Sequence, residues 1–125
     1  MSLPSGTEEL LLLHNPKCSK SRALHAALEE RGLAFRVRRY LDEPLDAAEL
    51  IELFGALGRP GSEVVRTKEE AYADSGLEAD SDDDAVAAAL AAVPKLLERP
   101  ILVRGRRAAV GRPTEDALAL LEDRG

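Results

Sequence analysis

Leu10-Leu11-Leu12-Leu13-His14-Asn15-Pro16-Lys17-Cys18-Ser19-Lys20-Ser21-Arg22, running on to Arg31, is the stretch that decides how this chain folds. A short continuous apolar run ending at a turn signal is the pattern of a strand buried on both faces. Beyond the loop, Leu24, Ala27 and Leu28 repeat at helical spacing, and Gly32 stands where a C-terminal cap belongs. The order is strand, tight loop, helix, with the helix covering Ser19 to Arg31.

This order puts Cys18, the only cysteine, at a helix N-terminus. Unpaired backbone N–H groups and the positive end of the helix dipole converge there, and Lys17, Lys20 and Arg22 add formal charge nearby. A thiol in that setting ionises more readily than a free one, and the same donors suit an oxyanion. Arg22 follows Cys18 by one helical turn, so its guanidinium is expected to reach an anion resting on the sulfur. A buried structural cysteine is the alternative. Flanking by Pro16, Lys17, Ser19 and Lys20 favours the reactive reading.

Working outward, Phe35 to Tyr40 alternates apolar and basic residues, as a half-exposed strand does, with Arg36 and Arg38 on the solvent face. Strand, helix and strand form a right-handed βαβ unit. Asp46 with Glu49 reads as a capping box for a helix ending at Gly55. Shorter helical pieces follow around Ser62 to Val65 and Lys68 to Asp74, and an alanine-rich helix starts at Ser81-Asp82-Asp83-Asp84. Ile101 to Arg104 and Arg107 to Val110 read as a hairpin about Gly105-Arg106, and Pro113 opens a closing helix. The sum is an α/β chain, βαβ, helical insert, ββα, which is the order of a thioredoxin-like fold with a mixed four-stranded sheet. Residues 1–125 read as a single domain, with 1–9 a flexible lead and 42–97 the helical insert.

At 125 residues, with 45% hydrophobic but only 3% aromatic content, the chain suits one core filled by Leu, Val and Ala. Its net charge of −6 is unevenly spread. Asp42 to Asp84 holds 14 acidic and 3 basic residues, net −11, leaving 9 acidic and 14 basic, net +5, elsewhere. The acidic stretch reads as a solvated helical surface, and the overall acidity argues against nucleic acid as a partner. No apolar run reaches the ~18 residues of a membrane span, and no signal-peptide pattern opens the chain, so the expected location is cytoplasmic, away from membranes. One cysteine with His14 and His25 offers no metal-ligand spacing. It also forbids an internal disulfide, so a redox cycle at Cys18 requires a thiol from another molecule.

Arg99-Pro100 and Arg112-Pro113 each place an arginine on the extended backbone that a following proline favours, at an element boundary. Spacing alone leaves open whether these arginines serve solubility or a site.

The run His14 to Arg22 resembles the active-site signature of the glutaredoxin-dependent arsenate reductase (ArsC) family. The resemblance continues at Arg66 in Glu63-Val64-Val65-Arg66-Thr67, at Arg99-Pro100-Ile101-Leu102-Val103 and at Gly111-Arg112-Pro113. It spans nearly the whole chain in order. It implies a nucleophilic Cys18, oxyanion ligation by Arg66, Arg99 and Arg112, and Asn15 in the substrate-binding loop. It further implies that His14 helps keep the thiol ionised, and that Pro100 is the cis-proline beside the site in thioredoxin folds. Ser19-Lys20 stands where the longer plasmid-type members carry Gly-Thr, and the extra residues of those members after the last helix are missing, so the short chromosomal members are the better match.

The activity implied is reduction of arsenate to arsenite through a cysteine–arsenic adduct, with glutathione as co-substrate, a glutaredoxin as partner and no tightly bound cofactor. Ser21 occupies the place of a resolving cysteine, so a self-contained dithiol cycle is excluded. Two other readings belong to the same fold family: an Spx-like regulatory binding protein docking through the acidic insert, and a glutathione-dependent thiol reductase that ignores arsenate. Ser21 also breaks the Cys-x-x-Cys pair of Spx-type switching.

Overall fold

The computed structural model describes residues 9–122, so most of the lead assigned to residues 1–9 lies outside the described residues. The strands are β1 (Leu10–Leu13), β2 (Arg36–Arg38), β3 (Ile101–Arg104) and β4 (Arg107–Val110). The helices are α1 (Ser19–Glu30), α2 (Ala47–Leu57), α3 (Glu70–Asp74), α4 (Asp83–Ala92) and α5 (Thr114–Glu122), with 3-10 turns at Gly61–Val64 and Pro94–Leu96. The sheet order is β2-β1-β3-β4. β1 runs parallel to β2 and antiparallel to β3, which pairs antiparallel with β4, so the sheet is mixed.

The leucine run sits at the centre because both of its faces are covered. Leu10 and Leu12 pack with Leu24 and Leu28 of α1 and Ala117 and Leu120 of α5. Leu11 and Leu13 point the other way, into a larger cluster with Leu50, Leu53 and Phe54 of α2 and Val86 and Leu90 of α4. The result is three layers, with α1 and α5 on one face and the helices following β2 on the other. Each of these leucines is almost fully buried, which contributes about 1.5–3 kcal/mol per side chain before the entropy cost of ordering the chain.

Local chemistry sets the helix ends. The Asp46 carboxylate accepts from Glu49 N at 2.8 Å, and Glu49 Oε1 accepts from Asp46 N at 3.1 Å, closing the expected capping box. α2 continues past Gly55 and stops at Gly58, whose left-handed φ of 68° is open to glycine at little cost. Asp82, with its side chain accepting from Ala85 N, starts α4.

Two expectations on β2 are corrected. The strand is shorter than Phe35 to Tyr40, and Arg38 lies inward at 4% exposure. Its guanidinium makes paired bonds to Glu49 Oε2 at 2.7 Å and Oε1 at 3.0 Å, and donates to the carbonyls of Glu43 and Pro44. An alternating pattern assigns a basic residue to solvent. Here α2 brings a carboxylate to meet it, and a fully hydrogen-bonded guanidinium is tolerated where a bare one is not.

Candidate functional site

β1 ends at Leu13, and His14 N still donates to Arg38 O at 2.9 Å, so the parallel ladder aims the next residues at the head of α1. The loop is then pinned from behind by Ser21. This residue is fully buried; its hydroxyl accepts from Asn15 N at 3.0 Å and pairs with His14 Nδ1 at 2.9 Å. Asn15 O accepts from Cys18 N at 3.0 Å, and Cys18 is the N-cap of α1, its carbonyl accepting from Arg22 N. Having no side-chain cap, the helix leaves its first N–H groups facing the sulfur.

Burial is the largest influence on Cys18 and raises its pKa. The backbone N–H groups of Ser21 and Lys20, the charge of Arg99 and the hydrogen bond from Arg112 together outweigh it, so the thiol lies below its ordinary value. Arg112 Nη2 stands 4.0 Å from Sγ. The formal charges acting on the sulfur therefore come from the far end of the chain. Lys17 and Lys20 have exposed side chains, and Arg22 donates to Pro16 O at 3.0 Å, bracing the loop rather than reaching over the sulfur.

Burial first, then His25, Arg39 and Arg22, lower the His14 pKa, which favours the neutral ring. His14 is buried against Ser21, its ring 5.1 Å from that of His25, and it orients the loop. Asn15 presents its side-chain carbonyl to Lys17 N at 3.0 Å, shaping the turn into Cys18.

Arg66, Arg99 and Arg112 come from three separate segments and line one open pocket of about 360 Å³ with Val65, Thr67, Lys68 and Glu98. A bridge between Val65 and Leu97 gathers the first two, with Arg66 N donating to Leu96 O at 2.7 Å and Glu98 N to Val64 O at 2.8 Å. Arg112 joins them by donating from Nε to Arg99 O at 2.7 Å. Gly111 permits that approach, since a Cβ there would stand 3.0 Å from Pro100 Cγ. Arg99–Pro100 is a cis peptide, and so is Arg112–Pro113, the second unforeseen from the sequence.

Partners hold two of the arginines in place. Arg66 pairs with Glu69 at 3.1 Å and donates to Lys95 O, and Arg99 Nη1 meets Glu98 Oε1 at 3.2 Å. Arg99 Nε is buried with no hydrogen-bond partner among the described residues. Tyr40, also buried, brings its hydroxyl to this side of the sheet. Burial pushes it up to about 12 against the pull of Arg99, Arg66 and the Asn15 side chain, and the hydroxyl completes no hydrogen bond of good geometry. Sequence reasoning passed over Tyr40, Glu98 and the stapling role of Ser21. Glu98, immediately before Arg99-Pro100, was the only one with a signal in the chain, an acid inside an otherwise basic motif.

A mixed four-stranded sheet, with a lone cysteine capping its first helix and arginines gathered beside it, defines a thioredoxin-like domain. The comparisons narrow this class. Residues 13–120 match the ArsC family. An arsenate reductase of Neisseria meningitidis is 46% identical over 115 residues, covering 90% of this chain and 98% of that protein. One of Haemophilus influenzae is 35% identical over 116 residues, covering 90% of this chain and 98% of that protein. The solved structure of an arsenate reductase from Vibrio cholerae superposes with a TM-score of 0.84 at 41% identity, covering 91% of this chain and 98% of that one. The chain belongs to the ArsC family. Among the described residues, no helix is long and apolar enough to cross a membrane.

Proposed function

We propose that this protein is a cytoplasmic arsenate reductase that uses Cys18 as nucleophile and draws its electrons from glutathione and a glutaredoxin. The observation that carries the reading is Arg112, which lines one pocket with Arg66 and Arg99 while its Nη2 stands 4.0 Å from Cys18 Sγ. A thiolate and a tetrahedral oxyanion are thereby offered neighbouring places. Asn15 and Arg22 act as loop supports, and Pro100, cis to Arg99, accepts from Gly111 N at 2.8 Å next to Arg112.

Cys18 thiolate attacks arsenic, an S–As bond forms, and one arsenate oxygen leaves as water after protonation, while the arginines and the first N–H groups of α1 offset the negative charge. A glutathione thiol displaces a second oxygen in the same way. A glutaredoxin thiolate then attacks the glutathione sulfur: the S–S bond forms, the glutathione S–As bond breaks, and its electron pair reduces arsenic(V) to arsenic(III). Hydrolysis of the remaining S–As bond releases arsenite and the Cys18 thiol. A pocket of about 360 Å³ exceeds what one oxyanion fills and falls in the range that holds a small organic ligand, which favours glutathione entering beside the adduct.

Arsenate-dependent NADPH oxidation with glutathione, glutaredoxin and glutathione reductase tests this. Oxidation is expected only with every component present. Activity with thioredoxin in place of glutathione and glutaredoxin counts against it, and thiol turnover indifferent to arsenate points to a thiol reductase.

A further inference from the structure

The arginine pocket contains an acid. Glu98 Oε1 accepts from Arg99 Nη1 at 3.2 Å and from Arg99 N at 3.2 Å, and stands 3.5 Å from Arg112 Nε, which is already donating to Arg99 O. Its second oxygen, Oε2, makes no hydrogen bond among the described residues, and Glu98 lines the same pocket as the three arginines. An ionised carboxylate only accepts hydrogen bonds, whereas guanidinium and backbone N–H groups only donate. The pocket therefore offers many donors, and among its lining residues Glu98 is the one carboxylate.

We propose that Glu98 is a specificity-determining residue that selects oxyanions carrying a proton, arsenate and phosphate, and rejects the fully deprotonated sulfate. This rests on the reading of the pocket as an oxyanion site and adds to it which oxyanions enter. At mildly alkaline pH arsenate, phosphate and sulfate are all tetrahedral dianions, so attraction to the arginines and repulsion from Glu98 are nearly the same for each. They differ in one group: arsenate and phosphate keep an O–H that can donate to the carboxylate, and sulfate has none. Sulfate binding sets an oxygen lone pair against a carboxylate lone pair and leaves the acceptor unpaired. Sites built around a hydrogen bond reject a ligand lacking that group far more strongly than apolar pockets reject a change of size.

The test is calorimetric titration of the full chain with arsenate, phosphate and sulfate at mildly alkaline pH, in the wild type, Glu98→Gln and Glu98→Ala. In the wild type, arsenate and phosphate are expected to bind about ten- to a hundredfold more tightly than sulfate, the range for a hydrogen bond to a charged group. In Glu98→Gln the amide can donate to sulfate, and the preference should collapse toward unity, mainly through tighter sulfate binding. Glu98→Ala should lose the preference as well, even if weaker arginine support lowers all three affinities. A residue that merely props up Arg99 and Arg112 changes the three affinities in proportion, so an unchanged ratio in both variants overturns the proposal while leaving the oxyanion pocket standing. If the wild type binds none of the three, the pocket reading falls and this role falls with it.

Discussion

Arg112 Nη2 stands 4.0 Å from Cys18 Sγ although 94 positions separate the two residues. The contact depends on β3 pairing with β1 and on β4 returning beside β3, which together carry Gly111-Arg112 back to the head of α1. The cation nearest the thiol is thus supplied by the fold rather than by the residues flanking it. With backbone N–H groups and Arg99 acting in the same direction, Cys18 is expected to be alkylated with a pH midpoint below that of a free cysteine. Arg112→Ala should move the midpoint upward and Lys20→Ala should leave it in place, because Lys20 acts through its backbone N–H. Iodoacetamide rates against pH for the three proteins measure this. Equal effects of the two substitutions would mean that the local lysines set the charge after all.

The arginines should act together on the substrate. Arg66→Ala, Arg99→Ala and Arg112→Ala are each expected to weaken arsenate binding by about ten- to a hundredfold, corresponding to ~1.5–3 kcal/mol per charged hydrogen bond. Lysine at the same positions should restore only part of this, since it keeps the charge and loses the planar fork. Oxyanion titration, with circular dichroism to verify folding, checks the prediction.

Arg38 is expected to be a stability residue. Removing it leaves Glu49 partly buried without its partner, at a cost of about 3–5 kcal/mol, whereas Arg36→Ala loses only a half-exposed pair with Glu9, worth ~1 kcal/mol or less. The hydrogen bond from Arg38 chiefly lowers the Glu49 pKa, so the contribution is fully present above the ordinary value of 4.5 and fades as pH falls below it. Urea unfolding of the wild type, Arg38→Ala and Glu49→Gln through this acid range should show the wild-type curve steepening there and both variants flatter.

His14 gives a second pH signature in a different window. Its folded pKa lies below 6.5, so the folded state holds the neutral ring and the unfolded chain takes up the proton first. Stability is therefore complete above about 6.5 and declines as pH falls from there toward the folded value. His14→Gln should remove that slope, while Ser21→Ala, which strips part-buried Asn15 N and buried His14 Nδ1 of a partner, should lower stability by about 1–3 kcal/mol at neutral pH. Thermal melts across mildly acidic pH separate the two effects.

Much of this architecture could be read from local chemistry. The leucine run, the Asp46–Glu49 box and the Gly105-Arg106 turn each carry their own signal within a few residues, and each element formed where that signal lay. What escaped depends on partners distant in the chain. Arg38 looked solvent-facing because the Glu49 carboxylate that receives it belongs to another element. The bond from Arg22 to Pro16 O was out of sight because spacing places a helix face but not the carbonyl that receives the guanidinium. The lowered pKa of His14 had no local signal, because the burial that disfavours its charge is a property of the packed molecule. The grouping of Arg66, Arg99 and Arg112 was suggested by family resemblance alone, since it depends on the Val65–Leu97 bridge and on Arg112 donating to Arg99 O.

The most direct test of the central claim is arsenite formed by the purified protein from arsenate, with glutathione and glutaredoxin supplied, measured by separating arsenite from arsenate for the wild type and Cys18→Ser. The account predicts arsenite that accumulates over many turnovers in the wild type and none above the protein-free background in Cys18→Ser. Arsenite formation that survives the loss of Cys18, or a folded wild type that forms none, would contradict it.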